Sequence, residues 1–410
     1  MAQYSRSGQF ELVKATILTN TANPVELDLA TAFTDAVIYE TIFDYTMSGN
    51  ISFVDTNNLV QKYGLGRGET VTLQWYTTGI ENSPITVVGK VYDLQGPMPL
   101  GDQASGFTLH FASPEFIASI QQKLFTGHNE ACSDIVDRIL KKINRQAPAK
   151  PKGLTATRTR NIEHIVFSGH TPDRGIDMCC RRAISTTGMN GYLFYEDNTE
   201  FRFVPIEELY AQDPVIEYIY RSAPTYNDVE NAHEESFNTF QEFEIEESNK
   251  FIDDLHDGQY GSAHGFLSIM DKSMTVHNYN AKDKFDSSKS LGKTAVSLDQ
   301  NFNSENSDRV TLHYRNTKQD NEGSIVDNKL KLLKSNSFAA NIGIFGNSSL
   351  KVGTTMRTTI PSNSKESMTP NATDNISGKF LIAEIKHVLQ PKSYNQRVKI
   401  LKDSFEEVTS

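Results

Sequence analysis

The stretch Leu65-Gly-Arg-Gly-Glu-Thr-Val-Thr-Leu-Gln-Trp75 joins a glycine-containing turn to an alternating segment. Gly66 and Gly68 can adopt the positive φ values that a tight turn needs. After them, apolar residues from Val71 to Trp75 alternate with polar ones, and a period of two predicts a half-buried strand. We therefore expect a turn that leads directly into a strand.

The same phrase returns later as Leu350-Lys-Val-Gly353-Thr-Thr-Met356. The shared skeleton is Leu-x-x-Gly-x-Thr followed by an apolar residue, and in each copy two further predicted strands follow. These strands are Ile85–Leu94 and Phe107–Phe111 in the first copy, and Phe380–Leu389 and Arg397–Leu401 in the second. We interpret the pattern as an internal duplication, and chance similarity between two β-turns is the alternative interpretation.

Composition places the chain among soluble globular proteins with several domains. It has 410 residues, of which 38% are hydrophobic and 22% are charged, and this length suits roughly two to four domains. The sequence contains no run of about 18 apolar residues, so we expect no membrane insertion. The N-terminus lacks the apolar core of a secretory signal. The net charge of −11 argues against wrapping of nucleic acid on a basic surface.

The three cysteines, Cys132, Cys179 and Cys180, form no Cys-x-x-Cys pair. Adjacent cysteines rarely close a bridge, so this usage suits a reducing cytosol without structural disulfides or zinc.

Strand and helix signals together predict a β-rich α+β multidomain chain. Strand spacing in the N-terminal part favours a barrel or sandwich over a parallel sheet. Ser113 is a predicted N-cap before a proline, in a helix that reaches Phe125, and Thr171 precedes a second proline in a helix that ends near Gly188. The expected domains are a first β-barrel at 1–111, an α+β domain of helices plus a hairpin at 112–205, a second β-barrel formed by 206–250 and 326–405, and an insertion at 251–325 with a hairpin and a long polar loop.

Motif searches predict no catalytic residue, no cofactor and no metal site. The cluster Gly64-x-Gly66-x-Gly68 would hold phosphate only if a helix followed it, and here a strand follows. The pairs His164/His170 and His256/His264 lack metal-ligand spacing, so ordinary histidines are the better interpretation. Carboxylates are plentiful but give no sign of a glycosidase cleft, and a solvated acidic face is the default interpretation.

Four groups of segments carry a resemblance to a known family. They are Ser48-Gly-Asn-Ile-Ser-Phe-Val-Asp55 with the following Leu65–Trp75; Thr171-Pro-Asp-Arg with Gly191-Tyr-Leu-Phe-Tyr-Glu-Asp and Phe201-Arg-Phe; Asp257-Gly-Gln-Tyr-Gly-Ser with Met274-Thr-Val-His-Asn-Tyr; and Ile344-Phe-Gly-Asn with the second copy of the opening phrase. In this order they cover most of the chain. The chain resembles the baseplate central hub subunit of contractile-tailed bacteriophages of the T-even type.

The resemblance implies a structural, non-enzymatic protein that forms a homotrimeric ring in the virion baseplate, after assembly in the host bacterial cytoplasm. Two related tube-like β-barrels per subunit would give the ring pseudo-sixfold symmetry, and Gly66, Gly68 and Gly353 would shape their turns. The implied partners are a trimeric spike protein, hexameric tail-tube or tube-initiator proteins, a tape-measure protein and surrounding wedge proteins. DNA would only pass through the channel during ejection.

One face of the predicted strand near residue 243 is acidic. We expect its Glu242, Glu244 and Glu246 to line the channel, because an acidic wall repels DNA phosphates. Two other functions compete with the hub: a tail-associated peptidoglycan hydrolase, and a secretion-type hub fused to its own spike. The polar region 282–307 matches no pattern, and its role is open.

Overall fold

The computed structural model describes residues 8–80, 82–100, 104–146, 151–221, 237–248, 251–295, 310–315, 322–360 and 376–405. The strands of the N-terminal part are β1 Phe10–Leu18, β2 Glu26–Asp28, β3 Phe33–Thr41, β4 Ser48–Asp55, β5 Thr70–Thr77, β6 Ile85–Pro99 and β7 Ser105–Ala112. They are followed by β8 Gly127–Ala131, β9 Gly153–Ala156, β10 Ile162–Val166, β11 Tyr192–Glu196 and β12 Glu200–Pro205.

The strands of the C-terminal part are β13 Glu217–Tyr220, β14 Thr239–Phe240, β15 Glu242–Ser248, β16 Gly261–Ser268, β17 Ser273–Asn280, β18 Thr294–Ala295, β19 Val310–Arg315, β20 Phe338–Phe345, β21 Thr355–Thr359, β22 Gly378–Gln390, β23 Ser393–Lys402 and β24 Ser404–Phe405. The helices are α1 Leu59–Tyr63, α2 Pro114–Ile120, α3 Cys132–Asn144, α4 Pro172–Arg182, α5 Ile206–Tyr210, α6 Phe251–Asp257, α7 Ala281–Ser287 and α8 Glu322–Lys334. Within the described ranges, none of these helices has the length and apolarity to cross a membrane.

The opening stretch folds as its alternation predicts. Strand β5 alternates half-buried and buried residues along its whole length, and Val71, Leu73 and Trp75 are all buried. Trp75 is completely inaccessible to solvent and lies in the centre of a core shared by the strands of the N-terminal part.

One large sheet runs through the molecule and contains two runs of paired strands. In the first, β1 pairs with β5, followed in order by β6, β7, β4 and β3. Strand β2 pairs with the other side of β1 and leads along the chain into β3. We call these strands, β1 to β7, the first unit.

In the second run the order is β13, β21, β22, β23, β20 and β15. Strand β14 pairs with β13 and leads, after Gln241, into β15. We call β13–β15 and β20–β23 the second unit. Strand β13 runs parallel to β21, whereas β1 runs antiparallel to β5, so one strand of the repeat is reversed.

The turn glycines of the two units occupy matching backbone positions. Gly68 has a φ of 81° and Gly353 a φ of 76°. The Gly68 amide donates a 2.8 Å hydrogen bond to the Val91 carbonyl, and the Gly353 amide donates one of 2.8 Å to the Ile382 carbonyl. In return, the amides of Val91 and Ile382 each donate over 2.9 Å to the residue after the glycine. Gly66, with a φ of 127°, belongs to the first turn.

A β-bulge follows one residue later in both units. The register of β6 against β7 shifts between Val91 and Asp93, and that of β22 against β23 shifts between Ile382 and Glu384. A bulge adds an unpaired residue, bends its strand and increases the local twist. Equivalent glycines, paired amides and bulges make chance similarity between two turns the weaker interpretation of the sequence repeat.

A third core lies between the two units in sequence. Helices α3 and α4 pack their buried faces against β8, β10 and the hairpin of β11 and β12. Strand β9 joins that hairpin in parallel, which the sequence did not indicate. Helix α4 ends at Arg182, before the predicted end near Gly188, and helix α2 ends at Ile120 instead of Phe125.

The predicted N-cap at Ser113 was wrong in its mechanism. Ser113 precedes α2, but its hydroxyl makes no cap to the helix backbone. It donates to Glu115 over 2.7 Å and approaches Glu196 at 3.1 Å, because the serine is buried beside two carboxylates that need donors.

The insertion contains the sheet of β17, β16 and β19, and the hairpin of β16 and β17 agrees with the prediction. The expected polar loop at 282–307 was wrong for its first part, where α7 packs its buried Ala281 against the core beneath the sheet. Residues 296–307 lie outside the described residues. The division into four domains with the expected boundaries stays a prediction.

Replacement of Gly353 by alanine tests the importance of the repeated turn. An alanine Cβ there would lie 2.1 Å from the Tyr195 hydroxyl, in addition to the cost of a positive φ. We expect Gly353→Ala to lower the free energy of unfolding by about 2–5 kcal/mol. Gly188 is the control, because its φ is 80° and no neighbouring atom lies within 4 Å of the position that a Cβ would occupy.

Urea denaturation followed by circular dichroism measures both variants. Gly188→Ala should lower the free energy of unfolding only by the cost of a side chain at a positive φ, about 1–2 kcal/mol. Equal losses for the two variants would contradict the close packing of Tyr195 against the turn.

Candidate functional site

Strand β22 is shared by the two units. Its first part pairs with β21, from Gly378 to Leu381, and its last part pairs with β3 of the first unit, from Glu384 to Leu389. Antiparallel backbone hydrogen bonds therefore continue from one unit into the other without a break. We call the contact made by β3, the end of β22 and the start of β23 the seam.

The tip of the β22–β23 hairpin fills the core of the first unit. Leu389 and Tyr394 are both buried in that core. The ring of Tyr394 lies 6.1 Å from Trp75, and the ring of His387 lies 5.7 Å from Trp75, both edge to face. Removal of this apolar area from water stabilises the seam in the way that a core stabilises a domain.

A buried polar network crosses the same contact. The Tyr394 hydroxyl accepts a 2.8 Å hydrogen bond from Gln396 Nε2 and lies 2.7 Å from His387 Nδ1. Burial raises the pKa of the Tyr394 hydroxyl, so this group stays protonated beside the ring nitrogen. His387 Nε2 then faces Glu40 of β3 at 3.5 Å.

Asn347 extends the network into the second unit. Its backbone amide donates to Gln396 Oε1 over 2.9 Å, and its carbonyl accepts from Gln396 Nε2 over 3.0 Å. Beside it, the Thr77 hydroxyl at the end of β5 donates to the Gly346 carbonyl over 2.9 Å and accepts from the Ser348 amide over 2.9 Å. Buried groups that are this well paired fix one register between the two units.

The equivalent hairpin of the first unit makes no such contact. Strand β6 extends beyond its pairing with β5, and within the described residues its part from Asp93 to Pro99 pairs only with β7. Its end is solvent-exposed, with exposed fractions of 57% for Met98 and 55% for Leu100. Exposed apolar residues on an unpaired strand edge are typical of a contact surface.

Strand β15 provides a second unpaired edge. Among the described residues it pairs with β20 alone, and Ile245 is exposed. The predicted channel residues Glu242, Glu244 and Glu246 all lie on this strand and are exposed. Glu244 pairs with Arg397, and Glu246 lies 2.9 Å from Lys399, so basic residues of β23 are interleaved with the acidic face.

The insertion presents an apolar sheet face. Met274 and Val276 of β17 lie across from Gly265 and Leu267 of β16, which also face β19. The exposed apolar residues on this sheet and its turn are Ile269, Met270, Met274, Val276, Val310, Leu312 and Tyr314. The opposite side of the sheet packs against α8.

A buried carboxylate of the α+β part contacts the first unit. Glu196 accepts a 2.8 Å hydrogen bond from the Met47 amide and lies 2.8 Å from Lys152 Nζ. Burial raises the pKa of the Glu196 carboxyl, and the nearby Lys152 opposes this shift. Because backbone and side-chain donors occupy its oxygens, this carboxylate acts as an anchor between parts of the fold.

The remaining candidate residues do not converge on a reactive centre. His264 lies 3.1 Å from His313, a neighbour that the sequence did not indicate. The three cysteines are buried thiols. In the described parts of the chain, no group of three or more His, Cys, Asp or Glu side chains could hold a metal ion.

Sequence reasoning found the turn glycines and the acidic strand but missed the seam. A length signal was present, since the predicted strand Phe380–Leu389 is longer than β21, its partner in the second unit. His387 and Gln396, polar residues within apolar strands, were the other available signal.

Comparison with known proteins places the fold among phage tail proteins. No protein-family model matches the sequence, and no curated protein sequence matches it. The tail protein from Neisseria meningitidis MC58 superposes with a TM-score of 0.58 at 9% identity, over 96% of this chain and 97% of that one. The 43 kDa tail protein of prophage MuSo2 from Shewanella oneidensis gives a TM-score of 0.52 at 11% identity, over 95% and 98%.

A third solved structure is the Francisella PdpA-VgrG complex, with a TM-score of 0.51 at 8% identity. The match covers 99% of this chain but 55% of that chain. The resemblance to tail proteins is thus confirmed as a fold: the chain is similar over nearly its whole length to a tail protein and to a prophage tail protein.

Replacement of Tyr394 by phenylalanine tests the polar network of the seam. The change removes one hydroxyl from the buried network, so His387 Nδ1 loses its 2.7 Å partner and keeps only the longer 3.3 Å contact with Gln396 Nε2. We expect a loss of about 1–3 kcal/mol in the free energy of unfolding, because buried polar groups lose their partner.

Tyr314→Phe is the matched control, because Tyr314 is 70% exposed. It should change the free energy of unfolding by less than about 0.5 kcal/mol. Urea denaturation of both variants gives the comparison, and an unchanged Tyr394→Phe variant would show that the hydroxyl does not stabilise the seam.

Proposed function

We propose that this protein is a structural hub of a phage tail baseplate. In this proposal the two units are tube-like β-barrels, and three chains form a ring with pseudo-sixfold symmetry. The ring joins a trimeric central spike on one side to hexameric tail-tube or tube-initiator proteins on the other. Its central channel lets DNA pass during ejection, and the protein acts without catalysis.

The observation that carries the proposal is the geometric repeat within one chain. The two units share the positive-φ glycines, the reciprocal amide bonds and the bulge one residue later. A chain with two similar units can present both threefold and sixfold contacts when three copies form a ring. This is what an adaptor between a trimer and a hexamer requires. The fold similarity to phage tail proteins supports the same role.

The acidic face of β15 is proposed to contribute to the channel wall. Glu244 and Glu246 are paired with Arg397 and Lys399 in the isolated chain, so the wall would combine both signs of charge. Net charge of the whole chain is −11, and the general field around the ring would still repel DNA phosphates. Tape-measure and wedge proteins are further proposed partners, with the apolar face of the insertion available for contact.

Size-exclusion chromatography with light scattering on the full chain tests the ring. We expect the mass of three chains, and electron micrographs of that species should display six similar densities around a channel. Glu242, Glu244 and Glu246 should face that channel. A chain that stays monomeric over a concentration series would contradict the ring, and glutamates on the outer rim would contradict the acidic wall.

A further inference from the structure

We infer that the exposed edge of β6 pairs with β15 of a second copy of this chain, in the arrangement that β22 and β3 adopt within one chain. This inference rests on the proposed ring and specifies the contact that builds it. The strands of the seam are equivalent, position by position, to two strand edges that are unpaired in the described chain.

The long hairpins of the two units have equivalent strand edges, one on β6 and one on β22. Val91 and Ile382 are equivalent, because each exchanges amide hydrogen bonds with its turn. After the shared bulge, β22 pairs with β3 from Glu384 onward. The corresponding part of β6, from Asp93 onward, has the same bend but pairs only with β7 among the described residues. The edge of β22 is therefore covered, whereas the equivalent edge of β6 is open among the described residues.

Strand β3 receives the long hairpin in the seam, and its equivalent in the second unit is β15. In the first unit, ladder partners lead from Val91 through Phe111 and Gly49 to Ile38 on β3. In the second unit, the same steps lead from Ile382 through Ile400 and Ala340 to Ile245 on β15. Strand β15 thus holds the position in the second unit that β3 holds in the first.

Burial agrees with this assignment. Ile38, whose strand has a neighbour on each side, is completely buried, whereas the equivalent Ile245 is 45% exposed. On the hairpins, Leu389 is buried, whereas the equivalent Pro99 at the end of β6 is exposed. Two residues that are covered in the seam, Ile38 and Leu389, thus have exposed counterparts on the open edges.

The open edge of β6 in one chain pairs with the open edge of β15 in the next chain. Beside β15 lies a hollow of 420 Å³ with a mainly polar lining, in which Tyr220 and Phe243 provide an aromatic patch. Tyr220 and Phe243 have ring centroids 6.1 Å apart and are only partly buried. Methionine packs well against aromatic rings, which suits Met98 to this surface.

The contact is head to tail, because a first-unit edge meets a second-unit edge. Within one chain, the long hairpin of the second unit pairs with β3 of the first unit. Between chains, the long hairpin of the first unit would pair with β15 in the second unit of the next chain. Repetition of one sense of contact closes into a ring when the rotation permits. Strand-edge pairing supplies main-chain hydrogen bonds and leaves no open edge around the ring.

Cysteine cross-linking of the full chain tests the register. Met98 is equivalent to Val388, because each lies two ladder positions beyond a pair of equivalent residues, Gln95 and Lys386. On the acceptor strands, Glu244 is equivalent to Val37. We expect the variant Met98→Cys/Glu244→Cys to form disulfide-linked dimers and trimers on oxidation. The matched control is Val37→Cys/Val388→Cys, whose residues are partners in the seam and should cross-link within one chain.

Light scattering before oxidation separates the outcomes. A trimer that yields covalent trimers supports the inference. A trimer that yields none, while the control cross-links, overturns the β6–β15 contact and leaves the ring intact. A monomer at every concentration overturns both proposals.

A charge on the hairpin end gives a second readout. Met98→Asp should shift the trimer to monomer, whereas Ile162→Asp, on the exposed side of β10, should leave the trimer unchanged. A trimer that tolerates Met98→Asp as well as Ile162→Asp would contradict the inferred surface.

Discussion

The fold depends on one constraint: strand β22 must satisfy two neighbours in different units. It pairs with β21 at its start and with β3 at its end, and the bulge after Ile382 provides the bend between them. The tip of its hairpin brings Tyr394 into the core of the first unit, where Gln396 and His387 pair with its hydroxyl. Apolar burial provides the stabilisation, and the polar network excludes other registers.

The repeat and the seam explain each other. A bulge bends its strand, so the same bulge in β6 and β22 directs both long hairpins away from their own units. In the second unit that direction leads onto β3, and in the first unit it leads into solvent. Each copy of the duplicated unit therefore has a long hairpin that bends in the same way. One hairpin makes the contact within the chain, and the other has the same geometry for a contact between chains.

Sequence patterns predicted the local structure well, because side-chain periodicity and turn chemistry are local signals. The alternation from Val71 to Trp75 and the glycines at 68 and 353 identified the repeated turn and strand. Pairing between β3 and β22 was missed, because no local pattern specifies which distant edge a strand will cover. Ser113 was assigned a cap for a similar reason, since only the fold brings Glu115 and Glu196 beside its hydroxyl.

The seam also affects how the chain folds. Thr41 pairs with Glu384, so the outer edge of β3 acquires its neighbour only when the C-terminal hairpin has been synthesised. Contacts between residues so far apart in sequence make folding slow and expose strand edges in the meantime. The first unit thus remains incomplete until the second has formed its long hairpin. The order of synthesis along the chain therefore determines when the edge of β3 is covered.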